Sequence, residues 1–201
     1  MIAILDYGIG NLKSIYNMFQ KVGVESIITS DIETIKNANK YLLPGVGSFD
    51  HGINSLKNAS FFETLEKEVL ENKKPILGIC LGMQLLTNSS EEGKEKGLGW
   101  IDAQTIKFDL EDKSLSIPHM GWNKTNPTNT NDVFKNLEDN RFYFVHSYHV
   151  VCNNEKNILA SSYYGQTFTC SIYKENIYGV QFHPEKSHKF GMQLLKNFGE
   201  M

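Results

Sequence analysis

The first part of the chain alternates two hydrophobic rhythms. Ile2-Ala3-Ile4-Leu5 is an unbroken apolar run that stops at Asp6-Tyr7-Gly8, as expected of a strand buried on both faces and followed by a turn. Leu12, Ile15, Tyr16 and Phe19 then recur at helical spacing, with Asn11 in position to cap the helix and Gly23 to end it. Ser26 to Thr29 predicts a second strand, and Tyr41-Leu42-Leu43 a third, closed by Pro44-Gly45-Val46-Gly47. Phe62, Leu65, Val69 and Leu70 share one face of an amphipathic stretch from Phe61 to Leu70, and Pro75-Ile76-Leu77-Gly78-Ile79 is another buried strand that runs directly into Cys80. This βαβ rhythm predicts a parallel sheet with helices on both faces.

The second half changes period. From Gln104 to Phe182 the pattern is mostly that of strands: residues 105–108, 142–145, 168–172 and 178–182. The segment from Asn123 to Asn140, rich in Asn and Thr, reads as a loop or short helix, and a last helix is expected from about Ser187 to Phe198. With no repeat and no low-complexity linker, the expectation is one domain over 1–201. Its class is α/β: a mostly parallel central sheet flanked by helices, with an additional antiparallel β portion.

Composition narrows the picture. The 201 residues are 40% hydrophobic and 21% charged, the balance of a chain that buries a core. A net charge of −3 offers no basic field, so nucleic acid is not expected as a partner. No basic stretch precedes the first apolar run and no apolar run approaches the roughly 20 residues of a membrane span, so a cytoplasmic protein is expected. Cys80, Cys152 and Cys170 are widely spaced and form no C-x-x-C pair, which fits neither a disulfide framework nor a zinc site.

Candidate chemistry begins at Gly78-Ile79-Cys80-Leu81-Gly82. A nucleophile between a strand and a helix, with small residues two before and two after, fits a strained elbow. The following helix N-terminus favours a thiolate there. A buried core cysteine among packing glycines is the plainer reading. The second piece is His183-Pro184-Glu185. Residues two apart on an extended chain point the same way, so Glu185 is set to orient His183 as a base toward a thiol. A solvated turn is the alternative. Both pieces fall at the C-terminal ends of predicted strands, where open α/β sheets hold their sites. The third piece is the loop Pro44-Gly45-Val46-Gly47-Ser48-Phe49, whose N–H groups, with that of Leu81, suit an oxyanion hole. No Lys-Ser/Thr follows it as a phosphate loop requires. Gly8-Ile9-Gly10 is not a dinucleotide fingerprint, because Lys13 stands where the third glycine belongs.

Taken together, these segments resemble the class I glutamine amidotransferases over essentially the whole chain. The likeness rests on residues 6–12, 43–47, 78–84, 97–100, 118–123, 145–148 and 179–187, in the family's order. It implies a glutaminase that needs no cofactor and no metal, with Cys80 as nucleophile, His183 as proton carrier and Glu185 as its orienter. It further implies Val46, Gly47 and Leu81 at the oxyanion hole, and L-glutamine held by Gly47, Gln84, Glu92, Ser147 and Tyr148. Within the family the likeness is to glutaminase subunits that form a heterodimer with a (βα)₈-barrel synthase (cyclase), and Asn11, Met120, Trp122 and Lys186 would meet that partner. Ammonia would then serve histidine biosynthesis or, in a related branch, amidino modification of bacterial surface sugars. Two other classes stay open on residues alone: a cysteine peptidase or esterase on the same scaffold, and a binding subunit without chemistry.

Overall fold

The computed structural model describes residues 1–128, 132–137 and 139–201. Strands β1 (Ile2–Leu5), β2 (Ser26–Thr29), β3 (Lys40–Leu43) and β4 (Ile76–Ile79) pair in parallel in the order β2-β1-β3-β4. They are linked by helices α1 (Leu12–Lys21), α2 (Ile32–Asn37), α3 (Phe49–Lys57) and α4 (Phe62–Leu70). Strands β1, β3 and β4 are buried along their whole length because each is covered on both sides, whereas the edge strand β2 leaves Ile27 exposed. Ile2 and Ile4 of β1 pack with Ile15 and Phe19 of α1, whereas Ala3 and Leu5 pack with Ile35, Ile53 and Leu65 from α2, α3 and α4. Fully burying one such Ile, Leu or Phe side chain contributes about 1.5–3 kcal/mol, so both layers are held firmly.

After the short helix α5 (Leu81–Leu85) come β5 (Ser89–Ser90), β6 (Ala103–Lys107), β7 (His119–Lys124), β8 (Asn126–Pro127), β9 (Arg141–His146), β10 (Tyr148–Cys152), β11 (Ile158–Tyr164), β12 (Gln166–Lys174) and β13 (Ile177–Val180). β13 returns to lie parallel to β4, and β12, β10 and β6 extend the same sheet, β13-β12, β12-β10 and β10-β6 being antiparallel pairs. β7 and β9 form a separate antiparallel pair. Helix α6 (His188–Glu200) covers the α1 face, where Leu194, Leu195 and Phe198 are buried. The ammonium of Lys40 fastens its end, donating to the carbonyls of Phe198 and Gly199 at 2.9 Å each and to that of Met201.

The sheet and its flanking helices match the expected α/β class. Three details differ. Asn11 stands at the N-cap position of α1, yet its side chain makes no capping bond. α3 was hidden by the glycine loop before it, although Phe49, Ile53 and Leu56 bury one helical face. β7, β10 and β11 are not among the expected strands; on β7 the residues facing inward are His119, Gly121 and Asn123 rather than aliphatics. In the segment 123–140, residues 129–131 and 138 lie outside the described residues, and Asp132–Phe134 forms one 3₁₀ turn. No described helix is long and apolar enough to cross a membrane.

Candidate active site

Cys80 sits between β4 and α5 with φ 54° and ψ −111°, a conformation that costs a side-chain-bearing residue on the order of 1–3 kcal/mol. Neighbouring backbone enforces it. A Cβ on Gly82 would stand 2.0 Å from the Leu43 carbonyl oxygen, and one on Gly78 would stand 2.6 Å from that of Gly82. Only glycine allows α5 to press this closely on β3 and β4. The elbow leaves Cys80 only 8% exposed, at the floor of a cavity of about 330 Å³ lined also by Val46, Gly47, Gln84, Tyr148 and His183. That volume lies in the range of about 300–1,000 Å³ usual for small-molecule sites.

His183 arrives from the end of β13, beside β4. Its N–H donates to the Tyr143 carbonyl at 2.9 Å. Its ring nitrogen Nδ1 is 2.8 Å from Glu185 Oε1, with the two side chains 2% and 3% exposed. Burial alone would lower the His183 pKa, but Cys80 and Glu185 outweigh it and raise it to about 10. The raised pKa favours the charged form of the imidazole. Nε2 is buried with no other partner among the described residues, and interaction with the Cys80 side chain is foremost among the influences that raise the ring's pKa. Glu185 Oε2 is likewise buried and unpartnered there. Ser187 braces this turn: its Oγ donates to the His183 carbonyl at 2.6 Å and accepts from the Tyr143 N–H at 2.9 Å.

The loop from Pro44 to Ser48 forms the facing wall. Among the described residues, the N–H groups of Val46, Gly47 and Leu81 enter no hydrogen bond, and all three residues line the cavity. Tyr7 anchors this loop by donating its hydroxyl to the Pro44 carbonyl. Burial, and next the negative form of Cys80, push the Tyr7 phenol above its ordinary pKa, so it stays a neutral donor.

Of the remaining sequence-predicted residues, Gln84, Glu92, Ser147, Tyr148 and Lys186 line this cavity. Gln84 is buried, its Nε2 donating to Gln181 Oε1 at 3.1 Å and to the Tyr148 carbonyl at 3.4 Å. Glu92 stands exposed at the mouth and accepts from the Phe49 N–H at 2.8 Å, at the positive end of α3. Ser147 and Tyr148 turn the corner between β9 and β10. Outside the cavity, Met120 and Trp122 are 60% and 46% exposed. Trp122 stacks on His188 at 5.6 Å, and the Lys186 ammonium lies 5.8 Å from the Tyr143 ring centre. Asn11 is exposed beside Gly10, which packs on Pro44.

Several residues of the site escaped the sequence reading. Gln181 is fully buried, and its Nε2 lies 3.8 Å from the Cys80 sulfur. A polar residue between Val180 and Phe182 was the available signal. Tyr7, His146 and Ser187 gave none beyond their place in a motif. Cys152 and Cys170 do not line the cavity, and burial pushes both thiols up, to about 12 for Cys152. Among the described residues no group of three or more His, Cys, Asp or Glu could hold a metal ion.

The profile of the class-I glutamine amidotransferases matches residues 3–201. The chain belongs to this family. It is 58% identical over 98% of both chains to the imidazole glycerol phosphate synthase subunit HisH 2 of Methanococcus maripaludis, and 46% identical over the full length of both to the protein of that name from Pseudomonas aeruginosa. Among solved structures it resembles PurLQS from Thermotoga maritima, with a TM-score of 0.73, 19% identity and coverage of 98% of this chain and 96% of the other. As a class I glutamine amidotransferase the chain is an enzyme, and the likeness at 19% identity speaks to its fold alone.

Proposed function

We propose that the chain is a glutaminase subunit in which Cys80, His183 and Glu185 split the side-chain amide of L-glutamine. The sulfur of Cys80 bonds to the amide carbon, and the oxygen that gains negative charge is held by the N–H groups of Val46, Gly47 and Leu81. His183 gives its proton to the amide nitrogen, so the carbon–nitrogen bond breaks and ammonia leaves. Water, deprotonated by His183, then attacks the thioester, and glutamate and the free thiol result. Glu185 keeps the imidazole aimed and its charged form stable. Gln84, Gly47, Ser147 and Tyr148 surround the substrate, and the Glu92 carboxylate at the mouth suits its ammonium group.

The observation that carries this reading is that Cys80 and His183 line one cavity while the buried Glu185 carboxylate holds the imidazole from behind at 2.8 Å. A peptidase would need a cleft long enough for a polymer, whereas this cavity matches one small molecule. Ammonia in neutral water is mostly ammonium, which has no lone pair for attack, so it must pass to its acceptor under cover of protein. Exposed Val46, Met120 and Trp122, with Lys186 and Asn11, offer an apolar face with a cationic point for a (βα)₈-barrel synthase. The named relatives are subunits of imidazole glycerol phosphate synthase. On that ground we assign the ammonia to the formation of imidazole glycerol phosphate and AICAR in histidine biosynthesis, in the cytoplasm.

The test has two stages. Glutamate release is measured with and without the co-purified barrel partner, for the wild type and for Cys80→Ala. Release that survives Cys80→Ala rejects the nucleophile. The loaded pair is then assayed for ammonia transfer to the histidine-pathway nucleotide. A pair that hydrolyses glutamine but ignores that nucleotide belongs instead with enzymes that place amidino groups on surface sugars.

A further inference from the structure

Beneath the exposed strand β7 lies a pair of histidines for which the proposed chemistry has no use. His119 and His146 are 3% and 6% exposed and stand opposite each other across the β7–β9 pair. Their partners fix every proton. His146 Nδ1 is 2.8 Å from the Tyr148 carbonyl oxygen, which only accepts, so Nδ1 donates. Burial lowers the pKa of His146 to about 3 and that of His119 to about 4, so each ring is neutral, with one donor and one acceptor. His146 Nε2 then accepts from His119 Nδ1 at 3.0 Å, and His119 Nε2 accepts from Asn123 Nδ2 at 3.2 Å. The same Asn123 amide donates to the Tyr163 carbonyl at 2.8 Å, which fixes its orientation.

The series runs one way, from Asn123 on the strand bearing Met120 and Trp122 to the Tyr148 carbonyl in the cavity wall. That carbonyl also accepts from Gln84, and Gln84 leads through Gln181 to the Cys80 sulfur. An aromatic box of Phe108, Phe144, Tyr164 and Phe168 surrounds the rings, and in such surroundings a lost donor is not replaced by water.

We propose that His119 is a positioning residue for the glutamine site. By donating to His146 it holds the corner at Ser147 and Tyr148, and with it the Gln84 amide, in the arrangement that receives the α-carbon end of glutamine. The inference rests on the glutaminase reading above and adds a residue that touches no substrate.

The competing explanation is that His119 merely fills space, since its ring stacks on Phe144 at 4.9 Å and on Tyr164 at 4.1 Å. Two variants of the full chain separate the two. His119→Phe keeps the stacked ring and loses the donor; His119→Asn gives up the ring but restores an N–H near the position of Nδ1. Two inactivation rates are read: one with a glutamine-like diazoketone over a range of concentrations, one with iodoacetamide, which reports only on the sulfur. For His119→Phe the diazoketone half-saturation concentration should rise about tenfold, the loss of one buried hydrogen bond, while its saturating rate and the iodoacetamide rate stay within about twofold. His119→Asn should return half-saturation to within about threefold of wild type. An unchanged half-saturation in His119→Phe, or a His119→Asn as impaired as His119→Phe, overturns the proposal. If His119→Phe does not fold, His119→Asn decides alone: near-wild-type half-saturation supports the donor role and a tenfold rise rejects it. A wild type that iodoacetamide alkylates and the diazoketone spares would instead sink the glutaminase reading, and this inference with it.

Discussion

His183 and Glu185 meet through Nδ1 and Oε1 at 2.8 Å with both side chains closed off from water. They stand two positions apart, and Pro184 between them begins a 3₁₀ turn that Ser187 pins from the far side. The contact therefore belongs to one rigid corner, and the ring direction is set before any substrate enters. Among the described residues Glu185 Oε2 has no partner, so this carboxylate is held through Oε1 and the imidazole.

Replacing Glu185 by Gln keeps the shape and removes that charge. Glutamine turnover should fall by about a hundredfold or more, in line with losses when a general acid–base is misdirected. Steady-state kcat measured in the partner complex checks this, and a decrease below threefold would show that Glu185 does not orient the ring.

The charge on His183 also has a stability consequence with a definite sign. Burial opposes the charged ring, Cys80 and Glu185 favour it more, and the folded pKa of about 10 exceeds the ordinary 6.5. A raised pKa means stabilisation fully present below about pH 6.5, fading as pH rises and gone above about 10. The unfolding free-energy difference between wild type and His183→Gln should accordingly narrow across that window. Denaturant midpoints at several pH values measure it, and a gap that widens with alkali contradicts the assignment.

Gly82→Ala tests the elbow. The added methyl would fall 2.0 Å from the Leu43 carbonyl oxygen, an overlap that backbone must relieve. Destabilisation of about 2 kcal/mol or more is expected, together with slower alkylation of Cys80 as its strained conformation relaxes. Urea unfolding and iodoacetamide kinetics give the two readings.

Lys40→Met separates stability from chemistry. The variant leaves the carbonyls of Phe198 and Gly199 without their donor, at a cost of about 1–3 kcal/mol. The melting temperature should drop while iodoacetamide reactivity of Cys80 holds, because Lys40 lies at the opposite end of β3 from the loop that begins at Pro44.

If the proposed barrel synthase docks on this face, Trp122→Ala weakens that association by about 2 kcal/mol or more, as for a central aromatic anchor. The alkylation rate of Cys80 in the isolated chain should not change. Titration calorimetry of the two subunits measures the first, and undiminished affinity would move the docking face elsewhere.

Much of the candidate site is legible in the sequence because its signals are local. Glycines on both sides of Cys80 and a proline between His183 and Glu185 act over two residues, and apolar runs announce β1, β3 and β4. What escaped depends on register across the sheet. His119 and His146 are 27 positions apart and meet only because β7 and β9 pair as they do. Gln181 acquires its task from Gln84 and Cys80, about a hundred positions away. Helix α3 was obscured for a different reason: the loop ahead of it carried a stronger local signal than its own Phe49, Ile53 and Leu56.

The contact between Gly82 and the Leu43 carbonyl ties the reactive atom to the central strands instead of to any surface segment. Changes at the mouth that leave this contact untouched would alter which molecules enter and which subunit sits above without moving the sulfur. A scaffold of that sort can change its customers while its reactive centre stays in place.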